Sequence, residues 1–434
     1  MSATVARRLY TLGWYVALPW VALYLLLRSV RLPQYRRHWR ERFLGDGPRP
    51  AASGAPVIWL HAVSVGETRA AQPLIEHLAR AYPGAQFVLT HMTPTGRSAA
   101  QPVLEALQGR LTQRYLPYDL PGAVRAFLSQ VRPAILVLLE TEIWPNLQFE
   151  AGRAGVPVVL VNARLSERSL ARALRWPALM VPAAARLTAI AAQTGADAAR
   201  WARLYRGPIH ITGNLKFDAA PPEALLESGR QSRRQLGGGP VWMFASTREG
   251  EERAIVEALA SFALRASEVK PALLFVPRHP QRFDEVARLL SRLGPVVRRA
   301  RFASMPADSR VLLGDSMGEM PMYYAMSDLA LIGASLVPLG GQNLIEACAC
   351  GCPILFGPHM FNFSQAAADA LACGAALQVG DAAEAVQVML ELQADPSRRE
   401  RMSQAARAFA QAHRGATDRT VELIEPLLTG SAGK

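Results

Sequence analysis

Ten short apolar runs recur between residues 57 and 358, separated by stretches with helical spacing. The first five are VIWLHAVS (57–64), QFVLTHM (86–92), AILVLLE (134–140), VPVVLVNAR (156–164) and LTAIAAQ (187–193). The second five are VWMFAST (241–247), ALLFVPR (272–278), RVLLGD (310–315), LALIGAS (329–335) and CPILFGP (352–358). Each is β-branched, close to continuous and bounded by turn residues. That is the pattern of strands covered on both faces of a parallel sheet, not of half-solvated alternating strands. Two series of this kind predict an α/β chain with two doubly wound, Rossmann-like domains. The cleft facing them is the expected site.

Between the series, KFDAAPPEALLESGRQSRRQLGGGP (216–240) has a Pro-Pro and a Gly-Gly-Gly end around a short helical stretch, the composition of a linker. The expected organisation is an anchor and basic segment over 1–45, a first domain over 46–215, the linker over 216–240, a second domain over 241–405 and a C-terminal helix over 406–434. The anchor rests on LYTLGWYVALPWVALYLLL (9–27), which carries no charge. Nineteen helical residues reach roughly 28 Å, about one hydrocarbon core. A cleaved signal peptide requires small residues after the apolar run. Here Arg28, Arg31, Arg36, Arg37, Arg40 and Arg42 follow instead, so a retained anchor is expected, spanning the membrane or lying in its interface. The heavier basic flank puts the body on the cytoplasmic side of the inner membrane. It offers anionic lipid about 1 kcal/mol per arginine.

Composition narrows the function. Of 434 residues, 50% are apolar and 19% charged, which excludes a disordered chain. The net charge is +13, and the only lysines are Lys216, Lys270 and Lys434. A basic chain suits nucleic acid, anionic lipid or phosphorylated substrate. With no zinc finger, aromatic RNA-binding signature or basic heptad helix, nucleic acid is not expected as a partner. Cys348, Cys350 and Cys352 fit neither a zinc nor a redox spacing and read as buried small residues. No metal-ligand cluster and no Gly-x-Gly-x-x-Gly follows a strand, so neither a metal nor a dinucleotide cofactor is expected.

The candidate chemistry sits at strand ends. Ser64-Val-Gly-Glu67 has the spacing of a capping box, and Glu67 is equally a carboxylate placed to accept a proton from a hydroxyl. In LLETEIWPNL (138–147), Glu140 and Glu142 end a strand, either as salt-bridge partners or as working acids. GASLVPLGGQNLIEACACGCP (333–353) reads as strand, Gly340-Gly341, then helix. That is an anion-binding arrangement or, alternatively, a close-packing one, with Glu346 about one turn further on. Arg278 follows a strand in VPRHP (276–280) and suits a phosphate. GDSMGEM (314–320) is another strand-end loop, and GNLKFD (213–218) puts Lys216 at the domain junction, a compact ammonium in an arginine-rich chain.

Taken in order, HAVSVGET, MTPTG, YLPYDLP, ETEIWPNL, NARLSERS, GNLKFD, PRHPQRF, GDSMGEM and GPHMFNFSQ resemble the 3-deoxy-D-manno-octulosonic acid (Kdo) transferases over nearly the whole chain. The resemblance implies a GT-B glycosyltransferase that moves Kdo from CMP-Kdo to the tetraacylated disaccharide precursor of lipid A, with inversion and without a metal. It implies Glu67 as the general base, and Glu140 and Lys216 as groups that stabilise the transition state. Pro277 and Arg278, then Met317, Gly318 and Glu319, then Asn343, Leu344, Ile345 and Glu346 would hold the CMP. Arg164 and Arg168 are candidates for drawing acceptor phosphates. One segment departs from the family pattern. Gln342 and Leu344 stand where the family has His and Pro, so the loop keeps donors but loses a potential positive charge. Another GT-B enzyme using a different nucleotide sugar, or a non-catalytic membrane-tethered binding protein, are the alternatives.

Overall fold

The computed structural model describes residues 1–51, 54–237, 239–261, 270–304 and 309–429; Gly238 of the linker lies outside them. The chain forms two compact units. One comprises residues 1–219 and the chain from Arg414 onward, the other Ala220–His413.

Unit 1 is built on seven strands: β1 (Val57–His61), β2 (Gln86–His91), β3 (Leu111–Tyr115), β4 (Ile135–Leu139), β5 (Val158–Ala163), β6 (Ala189–Ala192) and β7 (Ile209–Ile211). They are all parallel, in the order β3-β2-β1-β4-β5-β6-β7. The chain reverses its direction of travel between β1 and β4, so crossovers cover both faces. The period-two alternation of a strand divides the apolar residues accordingly. Ile58, Leu60, Phe87, Leu89 and Val137 enter one core layer, which the C-terminal helix Ala416–Thr429 completes with Val421 and Ile424. Trp59, Val88, Leu136, Leu138 and Leu160 enter the layer on the other side.

Unit 2 repeats the plan with β8 (Val241–Thr247), β9 (Ala272–Pro277), β10 (Val296–Arg298), β11 (Val311–Leu313), β12 (Leu329–Ile332), β13 (Ile354–Phe356) and β14 (Ala376–Gln378). The order is β10-β11-β9-β8-β12-β13-β14, again parallel throughout. The linker helix Glu223–Gln235 belongs to this unit. Its Arg233 pairs with Asp328 at 2.8 Å.

The N-terminal helix α1 (Ala3–Arg31) has two faces. Leu25 is buried, and Trp14, Leu18 and Val21 pack with it against Tyr118, Leu120 and Ala123. Arg7 and Thr11 both donate to Asn146 Oδ1, at 3.3 and 3.1 Å, and the Tyr10 hydroxyl donates to Asp119 Oδ2 at 2.9 Å. The opposite face leaves Leu9, Leu12, Val16, Trp20, Leu23, Leu27 and Val30 exposed, a single stripe at helical spacing. Among the described residues α1 is the one helix long and apolar enough to cross a membrane. The arginine cluster that follows is smaller than the sequence suggested. Arg42, in the short helix α2 (Trp39–Leu44), is only 1% exposed. It donates to Met92 O at 3.0 Å and lies 3.6 Å over the Tyr115 ring, so it is a core cation, not a headgroup contact.

Candidate active site

In unit 1 the carboxyl ends of β1 and β4 lie side by side at the point where the strand order reverses, the place where open α/β sheets collect their reactive groups. After β1 the chain runs through Ala62 and Val63 into helix α3 (Val65–Ala81), with Ser64 as its N-cap. The turn is a variant of the capping box, in which Glu67 reaches back to the N–H of Val63 and the hydroxyl of Ser64 instead of to the N-cap N–H. Ser64 Oγ accepts from Glu67 N at 3.4 Å and donates to Glu67 Oε1 at 3.0 Å, while Val63 N donates to Glu67 Oε2 at 2.6 Å. Each Glu67 oxygen thus receives one bond, and a carboxylate has about four lone-pair sites to offer. Capping leaves acceptor capacity unused.

Electrostatics separates this glutamate from an ordinary cap. Glu67 is 9% exposed. Burial, then the negative charge of Glu140, raises its pKa to about 7, against the opposing bonds from Val63 and Ser64 and the charge of Lys216. Glu142 also rises to about 7, through burial and then the Glu67 charge, while Trp144 Nε1 donates to its Oε2 at 2.6 Å. Glu140 sits at φ +59°, a left-handed conformation that costs a non-glycine residue energy unless the surroundings fix it. Here they do. Its N–H donates to Val161 O at 3.0 Å and its Oε1 accepts from Lys216 Nζ at 2.9 Å. Both side chains of that ion pair are less than a fifth exposed. Glu67, Glu140, Glu142 and Lys216 are therefore brought together: three carboxylates and one ammonium.

Several supporting residues carried no recognisable signal in the sequence. Asn162, at φ +51° on the end of β5, accepts from Leu215 N at 3.1 Å and so fixes the turn that presents Lys216. Below Glu67, His61 and His91 are fully buried. Burial holds their pKa values at about 3 and about 4, so both rings are neutral at physiological pH. Asp119 in YLPYDLP and Asn146 in WPNL have a local structural task. Asp119 accepts from the N–H groups of Asn146 and Leu147 at 2.9 and 2.7 Å, which starts the helix Pro145–Arg153 directly after the acid-bearing loop.

In unit 2 the three sequence segments lie at or beyond the carboxyl ends of strands: Pro277-Arg278 at the end of β9, Met317-Gly318-Glu319 after its neighbour β11, and Asn343 to Glu346 after β12, which β8 separates from β9. Pro277 is buried and Arg278 partly exposed, its N–H bonded to Thr247 O at 3.0 Å. Met317 and Gly318 are exposed. The Glu319 carboxylate is taken by Arg299, at 2.9 Å through two nitrogens, and by Ser316 Oγ. Glu319 thus holds its loop in shape and leaves the two residues before it facing solvent.

The glycine segment differs from its sequence reading. No helix begins near Gln342; it begins at Ile345 and runs only to Ala349. Asn343 Oδ1 accepts from Ile345 N at 3.1 Å, which delays the first turn. Gly340 and Gly341, at φ +93° and +75°, serve close packing: a Cβ on Gly341 would lie 2.2 Å from Met360 Sδ. Five residues make a weak dipole, so any anion held here is met by loop N–H groups and side chains. Glu251, unnoticed in the sequence, braces the segment from behind. Its buried carboxylate accepts from the N–H groups of Ala334, Ser335 and Leu336 at 2.6, 3.0 and 3.0 Å.

The fold and its comparisons define a class. The chain is a GT-B glycosyltransferase. A UDP-GlcNAc 2-epimerase structure from Neisseria meningitidis matches its fold at a TM-score of 0.59 and 15% identity, covering 85% of this chain and 100% of that one. Residues 295–409 match the glycosyl transferases group 1 family, and residues 37–219 match the family described as 3-deoxy-D-manno-octulosonic-acid transferase (kdotransferase). A Kdo transferase of Bordetella pertussis is 45% identical over 98% of this chain and 100% of its own. That of Haemophilus influenzae is 35% identical over 97% and 99%. The chain belongs to the Kdo transferase family.

Proposed function

We propose that this enzyme transfers Kdo from CMP-Kdo to the tetraacylated disaccharide precursor of lipid A by one inverting displacement that needs no metal. The observation that carries the reading is Glu67, a carboxylate with spare acceptor sites and a pKa of about 7 beside the Glu140–Lys216 ion pair. A base titrating near the working pH combines availability with proton affinity. Glu67 removes the proton of a primary sugar hydroxyl. The oxygen attacks the anomeric carbon of Kdo, the bond from that carbon to the phosphate oxygen breaks, and CMP departs with the electron pair. Glu140 and Lys216 stabilise the charge that develops.

Pro277, Arg278, Met317, Gly318, Glu319, Asn343, Leu344, Ile345 and Glu346 are the proposed CMP contacts. The leaving group carries one phosphate, whose charge a guanidinium and oriented N–H groups can meet. Leu344 keeps an N–H that proline would lack, and Gln342 supplies a neutral donor.

We read α1 as lying in the membrane interface. Arg7 and Leu25, eighteen residues or roughly 27 Å apart along the helix, both contact unit 1. The exposed stripe from Leu9 to Val30 then faces the hydrocarbon, on the cytoplasmic side of the inner membrane, where the acceptor lipid is held. The test is incubation of the enzyme with acceptor lipid and a CMP-Kdo source, with products weighed by mass spectrometry. Addition of Kdo in the presence of a chelator, with NMR showing the new linkage opposite in anomeric configuration to that of the donor, supports the reading. CMP release that requires a divalent ion, or no Kdo-bearing lipid, refutes it.

A further inference from the structure

At the N-terminal end of α1, away from the basic segment that follows it, Arg7 and Arg186 converge on one aromatic ring. Their Cζ atoms lie 3.5 and 4.7 Å from the centroid of Phe149. The two guanidiniums line a pocket walled by Pro145, Phe149, Leu179 and Pro182, and no carboxylate lines it. Arg7 donates to a neutral amide oxygen, on Asn146. No carboxylate forms an ion pair with Arg186 among the described residues. Arg8 and Arg153 add to the positive field at Arg7, and Glu150 opposes it, as does the buried Asp119, whose carboxylate is already bonded to Tyr10, Asn146 and Leu147. Glu150 is already shared between Arg125 and Arg153, at 3.1 and 3.3 Å. Like charges held together against an apolar wall create a site whose missing partner is an anion.

The surroundings say what kind of anion. The helix Pro177–Ala184 (PALMVPAA) carries no polar side chain on any side, and its first six residues are all solvent-accessible. Trp176, just before it, is 62% exposed. A ligand seated on the arginines would meet apolar surface in the direction of this helix.

We propose that Arg7 and Arg186 bind the phosphate of an anionic membrane phospholipid whose acyl chains lie along the helix Pro177–Ala184. Guanidiniums match phosphate oxygens in geometry as well as charge. Such a contact pins the second end of α1 at headgroup depth and orients the whole helix in the interface. The proposal rests on the reading of α1 as a membrane-contacting helix, and binding to neutral phosphatidylcholine vesicles tests that reading separately.

The experiment counts phosphatidylglycerol molecules retained by the full-length protein after release from mixed phosphatidylglycerol–phosphatidylcholine nanodiscs, by native mass spectrometry. One phosphatidylglycerol should remain on the wild type. Retention should fall about tenfold in Arg186→Ala, fall less in Arg186→Lys, and persist in Arg401→Ala, which removes the same charge from an exposed position of unit 2. Equal retention in wild type and Arg186→Ala overturns the site. So does a wild type that binds inorganic phosphate in an Arg186-dependent way yet retains no lipid, since the site would then be for a free anion. Kdo transfer is not part of the readout, so a failed transfer assay and a failed lipid site are told apart.

Discussion

At the scale of the residue, Glu67 shows how one side chain serves two physical roles. The Ser-x-x-Glu spacing at a strand-to-helix turn was legible in the sequence; the serine caps the helix as expected, and Glu67 reaches back one residue further, to Val63. The pKa near 7 was not legible, because it depends on burial and on Glu140, 73 positions further along the chain. The same holds for Lys216. Its rarity as a lysine marked it, but its partner emerged only from the fold. The sign of its effect can be worked out. Lys216 lowers the Glu67 pKa directly and neutralises Glu140, which raises it. Replacing Lys216 with Met removes both influences, so the Glu67 pKa climbs above about 7 and less of the base is ionised at neutral pH. The acid limb of the kcat/KM profile should move to higher pH by about one unit, a differential interaction of about 1.4 kcal/mol. An unchanged limb in Lys216→Met would mean that Glu67 is not the group that titrates in catalysis.

At the scale of the element, the apolar pattern succeeded where a strand has neighbours on both sides. All ten runs read from the sequence are strands, and the four strands it did not reveal are β3, β7, β10 and β14, the four sheet edges. Edge strands are short and tolerate polar residues, here Gln113 and Arg114, His210, Arg298 and Gln378. The periodicity has nothing to register there. The helix after Gly341 was misjudged for a different reason. A Gly-Gly pair signals freedom of the backbone, and only the contact with Met360 and the bond from Ile345 N to Asn343 show what the freedom is for. Element-scale coupling also gives a prediction at Asp119. It ties Tyr10 of α1 to the start of the helix Pro145–Arg153, next to the loop bearing Glu140 and Glu142. Asp119→Ala strands two buried N–H groups at about 1–3 kcal/mol each, so a loss of about 2–5 kcal/mol is expected in chemical denaturation. Tyr10→Phe, which removes a single bond, should cost about 1 kcal/mol or less. Equal costs for the two would contradict the role given to Asp119.

For the whole molecule, the proposed function has the net charge of +13 and the exposed stripe of α1 act on the same lipid substrate. The charge is not spread evenly over that role. Arg42 is consumed in the core and Arg40 pairs with Asp46, which leaves Arg28, Arg36 and Arg37 exposed at the C-terminal end of α1 and just beyond it. Sequence counting overstates such a patch because it cannot distinguish a cation packed on Tyr115 from one in solvent. An electrostatic share in substrate capture should appear as weaker transfer at higher salt. Raising ionic strength from about 0.05 M to 0.5 M shortens the screening length from roughly 14 to 4 Å and should raise the KM for lipid acceptor several-fold while kcat stays level. A KM indifferent to salt would remove the basic segment from the account of substrate binding.

The proposed chemistry turns on a single proton acceptor. Glu67→Gln keeps the size of the side chain and an oxygen for the Val63 bond, with an amide N–H that can donate to Ser64 Oγ, but cannot take up a proton. With CMP-Kdo and acceptor lipid saturating, and with thermal melting used to confirm the fold, the transfer rate of Glu67→Gln should fall about 10²–10⁴-fold. A variant that stays folded and transfers Kdo within about threefold of the wild type would leave Glu67 as a helix cap and nothing more.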